Sequence, residues 1–318
     1  MYLKQSIGVL VSNFSLCYKV LLYKVIVGLI IIAIAVAIFL PSFLPVFQDL
    51  EELGVINMCK EVFEKVATFK FVGEESLAVS FDNILNLTSD VLVNHANTLM
   101  TTYIGTAVLI LIAFFLNSFS QVPTAEVLYG AMELQAKYYF TSSILTKSKI
   151  SLTYSLLSMV LLLPIDIIIF GICALILFGG GFKLSLFLPA LAILAFTFLM
   201  SLRKTFSSIW LGVIVGETNN VWKAFKISLK YVGEDFSRIF STCIITTLFG
   251  NALCFGLGIF SLGVSFILTP SIYITLECVL SLVIFFNLRG KRFYINENEI
   301  ITPKKLQDRE QSFSFDLK

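Results

Sequence analysis

Residues 25–47 read VIVGLIIIAIAVAIFLPSFLPVF, an apolar run without one charged side chain. The hydrocarbon core of a bilayer is about 30 Å thick, and a helix needs about 20 apolar residues to cross it. Because lipid offers the backbone no hydrogen-bond partner, such a run folds as a helix. The rest of the chain is similar: 57% of its residues are hydrophobic, only 14% are charged, and the mean hydropathy is +0.90. The sequence therefore predicts an integral membrane protein.

The apolar runs predict six transmembrane helices, and hence an all-α, polytopic membrane helix bundle. The predicted spans are 25–47, 99–119, 152–178, 184–202, 239–261 and 265–287. The last two belong to one long run, which we divide near Ser261–Gly263, with a turn at Thr269–Pro270 as the alternative. We expect a six-span membrane domain over 1–295, followed by a polar cytoplasmic tail over 296–318.

The charges between the spans predict the orientation. The segment 48–98 carries nine acidic residues against three lysines, whereas the N-terminus, the segment 203–238 and the start of the tail are rich in Lys and Arg. By the positive-inside rule the basic segments and both termini are cytoplasmic, and 48–98 is external. Apolar residues at helical spacing within 48–98 predict an external helical hairpin there.

A basic amphipathic helix is predicted within the cytoplasmic segment, over 221–236. Its charged face holds Lys223, Lys226 and Lys230, and its apolar face is expected to hold Trp222, Phe225, Leu229, Val232 and Phe236. Asn219 or Asn220 can cap its start. Such a helix binds anionic membrane surfaces, so the three lysines and Trp222 form a predicted lipid-binding site. The alternative is an intracellular connector that packs on the bundle through the same apolar face.

Two short patterns carry a family resemblance: Trp-x-Ala-Phe-x-x-Ser at 222–228, and NLRGKRFYI at 287–295. They resemble the multi-pass membrane domain of glycerophosphoryl diester phosphodiesterases and related uncharacterised bacterial integral membrane proteins. The resemblance implies a six-helix module in the bacterial cytoplasmic membrane. In the enzyme-linked members catalysis resides in a separate soluble domain, so it also implies a module without catalytic activity. The acidic segment 48–98 is not part of the pattern.

The residues that most enzyme sites need are sparse. His95 is the only histidine, which excludes a zinc site built on several histidines. The chain has neither a CxxC pair nor a phosphate-binding loop, and we interpret its six cysteines as small apolar residues. We therefore predict no enzyme activity, no cofactor and no metal site. The net charge of +2 is too small to indicate a nucleic-acid partner.

Two carboxylates fall near the centres of predicted spans, Asp166 and Glu277. A charge at that depth costs about 2.5–3.5 kcal/mol on insertion scales, and no Lys or Arg lies in any predicted span. We therefore expect both side chains to face the bundle interior, with Asp166 largely neutral and Thr246 and Asn251 among the polar groups of this intramembrane site. One interpretation is a proton or cation site. The other is a hydrogen bond between helices.

Two functional hypotheses follow. The first is a non-catalytic accessory or scaffold module for a lipid or a partner protein. That partner is another membrane protein or a second copy, and a second copy has some support because Ala252 and Gly256 allow close helix approach. The alternative is a small-solute transporter or permease, coupled to protons or cations through Asp166 and Glu277. A polar cavity that reaches both carboxylates favours transport, whereas a packed interior with a surface groove favours the scaffold.

Overall fold

The computed structural model describes residues 2–67, 74–134, 138–179, 188–260, 265–296, 299–303 and 306, and in parts of some helices the backbone alone. The described residues form fourteen helices and one two-stranded sheet. In chain order these are α1 (Tyr2–Ser12), α2 (Phe14–Glu52), α3 (Val55–Ala67), α4 (Glu74–Asn94), α5 (Ala96–Phe119), α6 (Gln121–Leu134), α7 (Phe140–Thr146), α8 (Ser148–Leu161), α9 (Leu163–Gly179), α10 (Leu188–Ser207), α11 (Trp210–Gly216), α12 (Val221–Glu234), α13 (Phe236–Phe260), α14 (Ser265–Arg289), β1 (Phe293–Asn296) and β2 (Glu299–Ile301).

Five stretches of the described chain are long and apolar enough to cross a membrane. They are Phe14–Glu52, Thr102–Glu133, Ser148–Leu177, Leu188–Gly216 and Leu268–Arg289, and each overlaps one predicted span. A helical, multi-pass membrane bundle is therefore confirmed. The sixth predicted span, 239–261, falls on α13, whose side chains are described only as far as Ala252, so the count of six stays a prediction.

The turn between the last two predicted spans falls at 261–264, outside the described residues. The alternative turn, at Thr269–Pro270, lies inside α14. Two other long stretches are broken within the apolar region. α8 and α9 meet at Leu162, where Pro164 has no N–H to donate to the preceding turn, and α10 and α11 meet at 208–209.

The chain divides into two compact units, residues 1–27 with 114–318, and residues 28–113. At the centre of the first unit lies α14, which packs against α1, α6, α11 and α13. Its most apolar stretch is 78% buried, and Phe285 and Phe286 are fully enclosed. The described polar side chains of α14 therefore lie in the interior of this unit or at its edge.

Glycine allows the close approach of α11 to α14. A Cβ on Gly212 would lie 2.6 Å from the Cβ of Phe285, so no larger residue fits without a shift. Gly212 also lies in the first turn of its helix, where the backbone N–H has no partner within the helix. Its N–H donates to Ser281 Oγ on α14 at 3.1 Å, which fixes the register of the two helices.

A short β-hairpin follows α14 and was not predicted. β1 and β2 are antiparallel, with Phe293 opposite Ile301, and β1 packs against α1 and α6. Phe293 and Ile295 are buried, because alternate residues of the strand point to the same side. The predicted membrane domain, 1–295, therefore ends inside this hairpin, and most of the predicted tail lies outside the described residues.

The second unit, residues 28–113, contains the predicted external segment. Within it α3 and α4 pack against each other. The turn between α2 and α3 is made by Gly54, whose φ of +70° suits glycine at a helix end. His95, between α4 and α5, has its Nε2 2.7 Å from Asp49 Oδ2, so it has a local partner. The external location of 48–98 stays a prediction.

Candidate functional site: an ion-paired polar cavity

Both intramembrane carboxylates pair with basic residues of one helix. Arg203 Nη2 lies 2.9 Å from Asp166 Oδ2, and Lys204 Nζ lies 2.8 Å from Glu277 Oε1. Arg203 and Lys204 are consecutive residues near the end of α10. The two carboxylates, from α9 and α14, thus lie next to neighbouring positions of a third helix.

These pairs contradict the expectation that no basic residue lies at the depth of Asp166 and Glu277. The predicted fourth span ended at 202, but the apolar helical stretch continues to Gly216, so Arg203 and Lys204 lie within it. The expectation of a largely neutral Asp166 rested in part on that missing partner and stays a prediction. When ionised, a carboxylate 2.9 Å from a guanidinium forms a charge-assisted pair.

The helix break at Leu162 positions Asp166. α9 starts directly after this break, and Asp166 lies in its first turn. Its side chain is 17% exposed, and one carboxylate oxygen faces Arg203. The Asp166 side chain therefore points toward α10. A negative charge in the first turn of a helix is also favoured by the helix dipole.

Lys204 is held from two sides. Besides its pair with Glu277, its Nζ donates to the Tyr273 hydroxyl and lies 4.3 Å from the centre of that ring. A second ammonium is close by, since Lys24 Nζ donates to the Pro270 carbonyl at 3.4 Å. Lysine, tyrosine and glutamate thus form a connected cluster on the inner face of α14.

The hydrogen bonding of the two pairs is incomplete. Among the described residues, Asp166 Oδ1 and Arg203 Nε are buried and have no hydrogen-bond partner. Glu277 Oε1 is close to Lys204 Nζ but out of line for a hydrogen bond. A buried polar group without a partner costs about 1–3 kcal/mol. The site therefore has both donor and acceptor capacity left for water or a bound solute.

A cavity of about 170 Å³ lies beside the two pairs. Twelve of its seventeen lining residues are of polar or charged type: Asn117, Ser118, Gln121, Tyr154, Ser158, Arg203, Lys204, Ser207, Ser208, Thr246, Glu277 and Ser281. The other five are Phe114, Leu162, Leu211, Cys243 and Leu280. Several hydroxyls already donate to backbone carbonyls of their own helix, as Thr246 does to Thr242 O at 2.8 Å. Their oxygens remain available as acceptors toward the cavity.

The predicted polar site is thus assembled in part. Glu277 and Thr246 line the cavity, and Asp166 reaches its edge through Arg203. Asn251, on α13, is half-buried and is not among the lining residues. Arg203, Lys204 and Tyr154 were not predicted as residues of this site. The detectable signal was the apolar run IWLGVIVG, which resumes at 209–216 directly after the charges.

The predicted basic helix is present as α12, and small residues form much of its packed face. Asn220 caps its start by accepting from the Lys223 backbone N–H at 3.0 Å. The buried residues of α12 are Val221, Ala224, Ser228 and Val232, and the helix packs against α8, α10 and α11. Trp222 is 47% exposed and lies on the open side with Lys223, Lys226 and Lys230. Exposure of Trp222, Leu229 and Phe236 does not fit the alternative in which the whole apolar face packs on the bundle. The lipid-binding site of Trp222 and the three lysines stays a prediction.

Polar contacts hold the C-terminal part of α12 in place. Directly after the helix Tyr2 donates to Asp235 Oδ2 at 3.0 Å, and Arg238 donates to the same oxygen. In the last turn Tyr231 donates to Glu217 Oε1 at 3.2 Å. Burial, together with the nearby Glu217 carboxylate, raises the pKa of Tyr231 above its usual value. Both phenols therefore stay protonated donors at neutral pH.

No known protein family, curated protein or solved structure matches this chain. The class that fold and site define is a multi-pass helical membrane protein with an ion-paired polar cavity. The resemblance to the phosphodiesterase membrane domain stays a prediction. No group of three or more His, Cys, Asp or Glu residues that could hold a metal ion occurs in the described part of the chain.

Proposed function

We propose that this protein is a transporter or permease that binds a small polar solute in the cavity beside Arg203, Lys204 and Glu277. The observation that carries the proposal is the cavity itself: charged and polar residues line it, it lies within apolar helical stretches, and it reaches one ion pair directly and the other through Arg203.

The energetics support a functional site over a structural one. Each charge at the bilayer centre costs about 2.5–3.5 kcal/mol on insertion scales. Replacing a buried ion pair by well-packed apolar residues is often neutral or stabilising. Four charges with several unpartnered polar atoms are therefore a poor way to stabilise a bundle. They are well suited to bind a solute that exchanges partners with the Lys204–Glu277 pair.

Two helix breaks beside the cavity suggest how access could change. Leu162, between α8 and α9, and Ser208, between α10 and α11, both line the cavity. Broken helices at the midplane supply solute and ion sites in many transporters. We propose that these breaks serve as hinges, and that movement at them opens the cavity to one side of the membrane at a time.

Access from water tests this mechanism without knowledge of the solute. In a Cys59→Ala/Cys243→Ala background, which removes an exposed cysteine and the cysteine that lines the cavity, Ser208→Cys should react with a small membrane-impermeant thiol reagent added to sealed vesicles. Ser151→Cys, at a fully buried serine outside the cavity, is the matched control and should stay unreacted. Protection of Ser208→Cys equal to that of the control, from both sides of the membrane, would mean a closed cavity and would exclude transport through it.

Direct transport is tested in proteoliposomes. The purified chain is offered small zwitterions, dicarboxylates and inorganic phosphate, and charge movement is recorded on a solid-supported membrane. We expect a saturable signal for at least one class. It should vanish in Lys204→Met/Glu277→Gln and persist in Lys226→Gln, an exposed lysine outside the cavity. A signal that survives the double substitution would place transport elsewhere or exclude it.

The accessory or scaffold function is the second candidate, and the open side of α12 favours it. Trp222 and three lysines are exposed there, as expected for a surface that meets a partner or the membrane. The two candidates differ in what the cavity substitutions do. A scaffold tolerates Lys204→Met/Glu277→Gln as long as the bundle folds, whereas a transporter does not.

A further inference from the structure

A second concavity lies between α8 and the start of α12. Its described lining is Lys149, Ile150, Thr153, Leu156, Leu157 and Val160 from α8, with Asn219, Asn220, Val221 and Trp222 from α12 and the loop before it. We call it the α8–α12 groove. Its volume of about 650 Å³ is several times that of the ion-paired cavity. It is an open groove on the outside of the unit.

The groove is polar at one end and apolar at the other. Lys149 lies at the start of the membrane-crossing stretch Ser148–Leu177, and Val160 lies eleven positions further along. At 1.5 Å per residue that distance is about 16 Å, or about half the thickness of the hydrocarbon core. The groove therefore runs from the edge of the apolar layer toward its middle.

The polar end is basic and has no acidic counterpart. None of the ten described lining residues is acidic. Lys149 is exposed, and so is Lys223 next to Trp222. Lys226 Nζ lies 5.4 Å from the centre of the Trp222 ring. An indole beside lysines at the end of a membrane helix is the arrangement found at the headgroup level of bilayers.

We propose that the α8–α12 groove binds one anionic glycerophospholipid. The phosphate headgroup lies between Lys149 and Lys223, and an acyl chain extends along Leu156, Leu157 and Val160. Charge complementarity and the apolar length of the groove select this occupant over a soluble anion, which would leave the apolar wall uncovered. The site is separate from the ion-paired cavity and does not depend on its role in transport.

Native mass spectrometry of the full chain tests the proposal. The protein is released from detergent containing equal amounts of phosphatidylglycerol and phosphatidylcholine, and the retained lipids are counted. Wild type should keep phosphatidylglycerol in preference. Lys149→Gln/Lys223→Gln should lower that preference by about fivefold per lysine, or about 25-fold in all. Lys19→Gln, an exposed lysine on α2, is the charge control and should leave the preference unchanged.

A second pair of variants tests the chain-binding wall. Val160→Trp fills the apolar end of the groove, and Val160 is exposed, so the bundle should still fold. Leu152→Trp is the matched control, because Leu152 is also exposed on α8 but does not line the groove. Only Val160→Trp should reduce bound phosphatidylglycerol. Equal retention of both lipids by wild type, or no difference within either variant pair, would overturn the site.

Discussion

Replacing Lys204 alone should destabilise the protein more than replacing Lys204 and Glu277 together. Lys204 Nζ lies 2.8 Å from Glu277 Oε1, so at an effective dielectric constant of about 20 their gross attraction is 332/(20 × 2.8), about 6 kcal/mol. Desolvation of two ions offsets most of this. Removing one partner leaves the other charge uncompensated, which costs about 3–5 kcal/mol. Because the Glu277 side chain is 32% exposed, we expect about 3 kcal/mol for Lys204→Met.

The double substitution removes both charges and the need to compensate either. Glu277→Gln should cost about 2 kcal/mol, since Lys204 keeps its contact with the Tyr273 hydroxyl. The double variant should also cost about 2 kcal/mol, which leaves a coupling energy of about 3 kcal/mol, the upper end for residues in contact. If the free energy of unfolding lost in the double variant equals the sum of the losses in the two single variants, Lys204 and Glu277 do not form a pair.

Detergent-induced unfolding in mixed micelles measures these free energies. The two tryptophans report on it, and one of them, Trp210, is fully buried. Lys226→Met serves as the control, because this lysine is exposed and surface substitutions usually change stability by less than about 0.5 kcal/mol. A loss with Lys226→Met similar to that with Lys204→Met would show that the assay responds to charge in general.

Three further results are expected. Asp166→Asn keeps the side-chain shape but leaves Arg203 without its carboxylate, so it should cost about 2–3 kcal/mol in the same assay; a change within about 0.5 kcal/mol would speak against the pair. Cys59, exposed on α3, should react with an impermeant maleimide added outside intact cells, unlike Cys59→Ala; reaction only after permeabilisation would reverse the predicted orientation. Gly212→Ala places a Cβ 2.6 Å from a phenylalanine Cβ and should cost about 1–3 kcal/mol, whereas Gly171→Ala, which meets no atom within 4 Å, should not destabilise.

The membrane helices were predictable because their signal is local. A run such as 25–47 has no charge, and in lipid it has no alternative to a helix. Its fold therefore follows from its own sequence. The same local criterion misplaced the end of the fourth span. A hydropathy criterion ends a helix at adjacent charges such as Arg203 and Lys204, whereas a bundle can continue it when carboxylates from other helices meet those charges. That pairing is a tertiary property of the chain.

The residues of α12 that pack on the bundle were not predictable for a related reason. The helical pattern places Trp222 on one apolar face with Phe225 and Val232, but helix packing is limited by the distance between backbones. Ala224 and Ser228 allow α12 to approach its neighbours closely, and the large indole is then left outside. At a membrane surface that exposure carries little penalty, since tryptophan favours the interface. The lysines near Trp222 were correctly expected at the surface.

Because Arg203 and Lys204 lie inside the fourth apolar stretch, the segment 203–238 supports a cytoplasmic location less strongly than predicted. Six basic residues of 203–238 supported a cytoplasmic location, and the helical stretch to Gly216 takes up two of them. Four remain: Lys223, Lys226, Lys230 and Arg238. The acidic segment 48–98 is unaffected. The predicted orientation therefore still rests on the basic segments, expected inside, and on this acidic segment, expected outside. Labelling of Cys59 tests the external location of 48–98.

Helix α8 forms a wall of both proposed sites, so lipid bound in the groove should affect transport through the cavity. On α8, Lys149, Thr153, Leu156 and Val160 face the groove, while Tyr154 and Ser158 face the ion-paired cavity. A lipid bound in the groove would therefore pack against the outer face of α8, next to the break at Leu162.

Coupling between two sites changes affinities by about 5- to 150-fold and is reciprocal. We expect solute uptake to be at least about fivefold stronger in liposomes with phosphatidylglycerol than in phosphatidylcholine alone, and Val160→Trp, unlike Leu152→Trp, to remove the difference. If lipid binds in the groove but uptake is the same in both liposomes, the two sites are independent and α8 is a rigid partition between them.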